Sequence, residues 1–189
     1  MEKDVKKKQL IVALDGHDGS GKTTISKLLA EKMGGKYLKP FNGSVGDLIS
    51  WSYKKEKYDF LEELSFNAID SAIEDNAHES ILVFDRHWVT ISAMIPHKIK
   101  RQFIKPITFL CWANIETTIE RLIKRNDKLE NEWDNQKFVN LYYKIAKKNN
   151  LTIIDTSYSP NPVDIVNKIA EIIANGDMSS VPEVGVITG

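Results

Sequence analysis

The stretch Gly16-His17-Asp18-Gly19-Ser20-Gly21-Lys22-Thr23 decides how the rest of the chain is read. It fits the pattern G-x-x-x-x-G-K-[ST], and its neighbours supply the context that pattern needs. Residues 10–14 before it are continuously apolar, as a strand covered on both faces is. Residues 23–33 after it place Ile25, Leu28, Leu29 and Met33 at helix-face spacing and stop at Gly34-Gly35. The glycines of such a loop let successive backbone N–H groups converge on a phosphate, beside the positive end of the helix dipole. Gly16, His17, Asp18, Gly19, Ser20, Gly21, Lys22, Thr23 and the following Thr24 are therefore the expected nucleotide contacts. Lys22 is expected on the β- and γ-phosphates and the Thr23 hydroxyl on Mg²⁺. A glycine-rich turn that binds nothing is the competing reading, and the flanking strand and helix count against it.

Working outward, residues 81–84, 107–112 and 151–154 read as further buried strands, with a shorter one at 36–38. Between them lie helical periods. Residues 59–77 carry Phe60, Leu64, Ala68 and Ala72 on one stripe, and residues 115–125 follow Asn114 as an N-cap. Asp134 is placed to cap a helix over 136–148, and residues 162–173 form the last one. Strands alternating with helices in this way predict an α/β fold of three layers, α/β/α, around a five-stranded parallel sheet.

A length of 189 residues gives one domain, expected over 1–175, and residues 176–189 lack any helical period and read as a loose tail. Lys plus Arg and Asp plus Glu number 26 each, so no net charge draws the chain to nucleic acid or a membrane surface. No apolar run approaches the ~20 residues that span a bilayer. The first eight residues, Met1 to Lys8, are charged and lack the apolar run of a signal peptide, which predicts a cytoplasmic protein. Cys111 is the single cysteine, so neither a disulfide framework nor a cysteine zinc site is available.

Two further groups carry chemistry. The run Ile81-Leu82-Val83-Phe84-Asp85 ends in a carboxylate where a parallel sheet presents its ligands. Asp85 is thus a candidate for holding Mg²⁺ with Thr23, the competing reading being a helix cap. Arg86 follows at once, placed to neutralise a phosphate. Arg121, Lys124 and Arg125 fall at i, i+3 and i+4, with Lys128 beyond, and residues 126–134 then break the period with polar side chains. A guanidinium matches phosphoryl oxygens bidentately. A solvated basic face paired with Glu116 and Glu120 is the alternative.

Asp15-Gly16-His17-Asp18-Gly19-Ser20-Gly21-Lys22-Thr23-Thr24, followed by Asp85-Arg86-His87 after the next long strand, resembles the thymidylate kinase family. The resemblance extends from Gln9 to about Ile173. It implies a P-loop nucleoside-monophosphate-kinase fold with a lid, here about 125–135. Arg125 would be the first choice for the arginine that closes over the phosphates and Arg121 the second, since Gly19 stands where some members carry an arginine in the loop. With Lys22, Asp85 and Arg86, these form the implied catalytic set. Lys39-Pro40-Phe41 resembles the family's E-P-G turn, and Phe66 matches the aromatic that stacks on the acceptor base. Lys39, Phe66, Arg86 and His87 are then the implied acceptor contacts. The implied reaction transfers the γ-phosphoryl group of ATP, with Mg²⁺, to a nucleotide, in a chain that by resemblance is a homodimer.

The acceptor side departs from the family. Lys39 replaces an acidic residue, Asp70 stands where an arginine is expected on the acceptor phosphate, and Met94-Ile95 occupies the place of a Tyr-Gln pair. Lys39, Lys98, Lys100 and Arg101 are the nearby basic substitutes, and thymidine monophosphate is not the indicated acceptor. Deoxynucleoside and other small-molecule kinases, which share the loop, remain an alternative. A catalytically silent nucleotide-binding module is another, motivated by Asp70 and Met94-Ile95. A GTPase is disfavoured, because Asn126-Asp127-Lys128 has the wrong order for an N-K-x-D guanine motif. His78 and His97 have no partners at metal spacing and are expected at the surface; Trp51, Trp88, Trp112 and Trp133 are expected to pack in the core or lid; Cys111 is expected to be buried and inert.

Overall fold

Val12 and Leu14 project from one face of the first strand and Ile11 and Ala13 from the other, and water is kept from both sets. That double burial requires helices on both sides of the sheet. The computed structural model, which describes residues 9–126, 132–158 and 161–176, has this arrangement. Its elements run β1 (Leu10–Asp15), α1 (Lys22–Met33), β2 (Lys36–Leu38), α2 (Gly43–Lys54), α3 (Tyr58–Asp75) and β3 (Ile81–Asp85). There follow α4 (Trp88–Met94), β4 (Ile107–Trp112), α5 (Ile115–Lys124), α6 (Glu132–Lys148), β5 (Thr152–Asp155) and α7 (Pro162–Asn175).

The five strands are all parallel, in the order β2-β3-β1-β4-β5. β1 is central, and the chain fills the sheet to one side of it before crossing to the other. The carboxyl end of β1 therefore lies at a topological switch point, where open α/β sheets form their ligand crevice. On one face Val12, Leu14, Val83, Phe109 and Ile154 pack against Ile25 and Leu29 of α1 and Val166 and Ile169 of α7. On the other, Ile11, Leu82, Phe84 and Leu110 meet Leu61, Phe66 and Ile69 of α3, Trp88 of α4 and Tyr142 of α6.

The three-layer fold and all five strands stand where the sequence puts them, to within a residue at each end. Asn114 caps α5 as expected, its Oδ1 accepting from the Thr117 N–H at 2.9 Å. Several details differ. The buried face of α3 is Leu61, Glu62, Ser65, Phe66 and Ile69, and Phe60, placed on the apolar stripe by its spacing, is 47% exposed. Trp51 is likewise exposed and not a core residue, whereas Trp88 is buried with its indole N–H on Thr108. α6 begins at Glu132, so Asp134 lies inside it rather than at its cap. Two helices have no counterpart in the sequence pattern, α2 and α4. The first contains two glycines, and the second is short and rich in β-branched residues, both poor local signals. Residues 1–8, the centre of the expected lid at 127–131 with Lys128, the side chain of Trp133, and residues 177–189 lie outside the described residues.

Replacing Asn114 by Ala removes the acceptor for the α5 N-terminus and should lower unfolding free energy by about 1 kcal/mol, read from urea denaturation. An unchanged midpoint would show that the cap is redundant.

Candidate active site

The loop between β1 and α1 turns so tightly under the end of β4 that a Cβ at Gly16 would collide with the Cys111 carbonyl. At the other end of the loop Gly21 has φ +78 as the residue before α1, a left-handed conformation that a side chain disfavours. The two glycines of the motif thus have distinct steric reasons.

Inside this turn lie buried charges. Lys22 is 5% exposed, and its ammonium donates to the His17 carbonyl at 3.1 Å with Asp18 at 3.7 Å. Burial, reinforced by the nearby Arg86 cation, pushes the lysine down to about 8, against the pull of Asp18 and Asp85. Thr23 donates its hydroxyl to Asp85 Oδ2 at 2.6 Å, joining the start of α1 to the end of β3. The Tyr37 phenol of β2 donates to the same oxygen at 3.0 Å, and burial and Asp85 both raise its pKa. Asp85 is fully buried, and its Oδ1 has no partner among the described residues. A hydroxyl and a buried carboxylate with an uncommitted oxygen form an all-oxygen donor set, the chemistry that suits Mg²⁺. Among the described residues no group of three His, Cys, Asp or Glu side chains is placed to hold a metal ion by itself.

Arg86 has φ +80, and its guanidinium converges on the loop. Nη1 donates to the Gly16 carbonyl and to Tyr142 Oη, each at 3.2 Å, and Nη2 meets Asp18 Oδ1 at 2.5 Å. Burial works against this charge, but Asp18 and the other nearby acidic groups hold it protonated. Arg86 in turn lowers the pKa of Asp18 most, with help from Lys22 and Arg125.

The backbone after Arg86 is held by Asp15, the last residue of β1. Its Oδ1 accepts from the N–H groups of His87 and Thr90 at 3.0 Å each and from the Thr90 hydroxyl at 2.6 Å. A carboxylate from another strand thereby acts as the N-cap of α4. Burial raises the Asp15 pKa, and these hydrogen bonds oppose the rise.

His17 is a crosspiece. Ala113 N–H donates to Nε2 at 3.2 Å, so Nδ1 carries the proton and donates to the Asp18 carbonyl at 2.8 Å. Burial pushes its pKa down to about 4. Of the α5 cations, Arg121 reaches the loop: Nη1 donates to the Gly19 carbonyl and Thr156 Oγ1, each at 3.0 Å, and Nη2 to the Thr156 carbonyl at 2.6 Å. Arg125 is the exposed C-cap of α5 and lies near enough to Asp18 to depress its pKa, whereas Lys124 pairs with Glu120. A cavity of about 320 Å³ opens here, lined by Gly19, Gly21, Thr24, Arg121, Arg125 and Thr156.

The expected acceptor residues are more scattered. Lys39 is exposed, and no contact ties it to the loop. Phe66 has no exposure: its ring lies against Phe103 at 4.9 Å, with the Arg101 guanidinium 6.0 Å from its centre. His87 is buried beside Phe84 and Phe103, its pKa pushed down to about 3 by burial, and neither ring nitrogen has a partner among the described residues. Arg101 donates to Asp70 at 2.5 Å and Asn67 at 2.6 Å, so an arginine does reach the α3 position where the sequence has Asp70. Glu62 fixes that loop by accepting the N–H groups of Lys100 and Arg101 at 2.7 and 2.9 Å. Lys100 itself is held by Asp59. His97 is half-buried between Asp59 and Glu62 rather than at the surface, His78 is exposed beside Glu79, and burial raises the Cys111 thiol to about 12.

Tyr37, Glu62, Thr90, Tyr142 and Thr156 join the site without any sequence motif. Only contacts remote in the chain bring them in. Asp15 lies within the quoted motif, but its capping partner is more than seventy residues away.

A family model described as thymidylate kinase matches residues 14–169. The chain is 32% identical over 165 residues to a probable thymidylate kinase of Methanocaldococcus jannaschii, covering 78% of this chain and 87% of that protein. A shorter match, 43% over 63 residues, is to a bifunctional pantoate ligase/cytidylate kinase of Prochlorococcus marinus; it covers 33% of this chain and spans 12% of that longer protein. Among solved structures, thymidylate kinase from Candida albicans superposes with a TM-score of 0.69 at 15% identity, over 88% of this chain and 92% of that one. Deoxyadenosine kinase from M. mycoides with bound dATP gives 0.65 at 16% identity, over 88% and 100%. These two similarities establish the shared fold.

The buried histidines make stability depend on pH. Both have folded pKa values below the ordinary 6.5, so the unfolded chain takes up protons that the folded chain refuses. The stability is fully present above pH 6.5 and is lost as pH falls through about 4 for His17 and about 3 for His87, at up to about 1.4 kcal/mol per pH unit for each ring. His17→Gln should shrink the fall in urea-unfolding free energy between about pH 6 and 4.5 by roughly 2 kcal/mol. An identical pH slope in the variant would show that His17 takes up its proton as readily in the folded chain as in the unfolded one.

Proposed function

The chain belongs to the thymidylate kinase family and is a nucleotide kinase, a phosphotransferase, and from that premise we propose that it transfers the γ-phosphoryl group of Mg·ATP to a nucleoside monophosphate. The Thr23–Asp85 hydrogen bond carries this reading, because it joins the phosphate loop to a buried carboxylate at the switch point of the sheet. Thr23 and Asp85 would hold Mg²⁺, which would supply positive charge to neutralise the phosphates. The Thr23 proton is already given to Asp85, which leaves the hydroxyl's lone pairs for a cation. The cavity lined by Thr24, Arg121 and Thr156 suits the remainder of the ATP molecule.

The protein's own residues supply orientation and charge. Backbone N–H groups of the loop take the β-phosphate as the helix dipole favours. Lys22 leaves the His17 carbonyl for the phosphate oxygens, and Arg86 and Arg125 stabilise the charge that spreads over them during transfer. Asp18, an exposed carboxylate 3.7 Å from the Lys22 ammonium, is available to receive a hydrogen bond from the acceptor. Arg121 already bonds the Gly19 and Thr156 carbonyls, so it braces the loop. ATP and nucleotides are cytoplasmic metabolites, and no helix among the described residues is long and apolar enough to cross a membrane. Leu48 and Trp51, three residues apart on α2, are exposed apolar side chains, a surface that suits a second copy of the chain.

Lys22→Ala should leave a folded protein whose turnover is down by at least ~100-fold, and Asp85→Asn should move the Mg²⁺ dependence to higher concentration. A folded Lys22→Ala variant with near-normal turnover would remove the phosphate-loop assignment.

The acceptor is tested by ADP release with Mg·ATP against ribo- and deoxynucleosides and their monophosphates. A monophosphate should give the signal, and Arg101→Gln should raise its KM about tenfold while leaving the KM for ATP unchanged. A signal from nucleosides alone would favour a nucleoside kinase.

A further inference from the structure

We propose that Tyr142 is a positioning residue for phosphoryl transfer, its hydroxyl on α6 fixing one arm of the Arg86 guanidinium. Arg86 Nη1 donates to Tyr142 Oη at 3.2 Å, Tyr142 donates to Thr90 Oγ1 at 3.1 Å, and Thr90 donates to Asp15 Oδ1 at 2.6 Å. The direction of this chain is forced. A guanidinium only donates, so the phenol oxygen accepts from it and must send its single proton onward to Thr90. Thr90, having accepted, gives its own proton to the carboxylate.

The phenol is 3% exposed, and burial raises its pKa to about 12, so it keeps the proton that the chain needs. One hydroxyl thus ties α6 to Arg86 of the β3–α4 turn, to α4 and to the end of β1. The Tyr142 ring serves separately as packing: it meets the His17 ring edge-on at 6.4 Å and lies among the core side chains of its face.

These two roles separate in a Tyr142→Phe variant. The ring and its packing stay, and Thr90 keeps its bonds to Asp15, so α4 remains capped. Arg86 Nη1 keeps the Gly16 carbonyl at 3.2 Å and is left with only a 3.5 Å approach to Thr90 Oγ1. Its other arm, on Asp18, loses the opposing anchor that sets its angle to the loop.

The inference rests on the reading of Arg86 as a cation of the transfer step, and the experiment separates the two. Turnover is measured for Tyr142→Phe, Arg86→Lys and the double variant, with folding checked by circular dichroism. Tyr142→Phe should lower kcat about tenfold or more and leave the KM for ATP within about twofold, since misplacement of a positioned group costs rate rather than binding. In the Arg86→Lys background the same substitution should cost less than about twofold, the non-additivity expected of groups that act through one another. A kcat within twofold of wild type, or an equal loss in both backgrounds, overturns the proposal and assigns Tyr142 to packing. Wild-type turnover in Arg86→Lys alone overturns the reading of Arg86, and the proposal with it. If Tyr142→Phe is unfolded at the assay temperature, the same comparison is made at a lower temperature at which circular dichroism shows it folded, and the same outcomes decide.

Discussion

The site depends on a carboxylate that water does not reach. Asp15 ends the central strand, and burying its charge is costly unless donors surround it. Three donors do so at one oxygen: two backbone N–H groups at the start of α4 and the Thr90 hydroxyl. They recover part of the desolvation cost, as charge-assisted bonds do. The same bonds fix α4 against β1, and α4 begins two residues after Arg86. The positive φ of Arg86 is therefore held from both sides, by β3 before it and by the cap after it. The direction in which the guanidinium leaves the backbone follows from a residue that never touches it.

Around that anchor the loop is electrostatically unfinished. Lys22 and Arg86 are two cations held close together, and each works against the charge of the other. Asp18 is their shared partner, yet its carboxylate is 71% exposed and its pairing is screened by water. The fall of Lys22 to about 8 records that deficit: burial is not fully repaid by the anions present. A bound polyphosphate would supply the missing negative charge and would free Asp18 from both cations. The phosphate loop is thus arranged for an anion before any arrives, which lowers the reorganisation that transfer requires.

The sheet, its strands and most of its helices were legible because each depends on a short window. Four apolar residues in a row make a strand buried on both faces, and glycines with a lysine and a threonine at fixed spacing make the loop. Asn114 three residues before Thr117 makes a cap. What the sequence concealed depends on long separations. α4 is stabilised at its start by Asp15, so no local signal marks it, and its β-branched Val89, Thr90 and Ile91 argue locally against a helix. On α3 the buried positions include Glu62 and Ser65, polar residues that no apolar stripe includes, which is why spacing alone pointed to Phe60. Tyr142 sits among ordinary core-facing residues of α6 and differs only by one oxygen.

Glu62 also explains how an arginine comes to stand at Asp70. A buried glutamate that accepts two successive N–H groups at 2.7 and 2.9 Å pins the backbone of residues 100 and 101 against α3. The Arg101 side chain, 36% exposed, then crosses Asn67 and Asp70 over the ring of Phe66. Reversal of one helix charge is matched by an arginine delivered from a loop, so the local sum of an arginine at Asp70 is not restored but balanced to neutrality. A neutral Arg101–Asp70 pair reads a ligand differently from a lone arginine: it offers a donor edge and an acceptor edge side by side. A phosphate that takes the guanidinium must compete with Asp70 for it, so it would gain less there than at a lone arginine. Asp70 would thus bear on which acceptor fits, while the contacts of Lys22, Arg86 and Asp15 run through other residues.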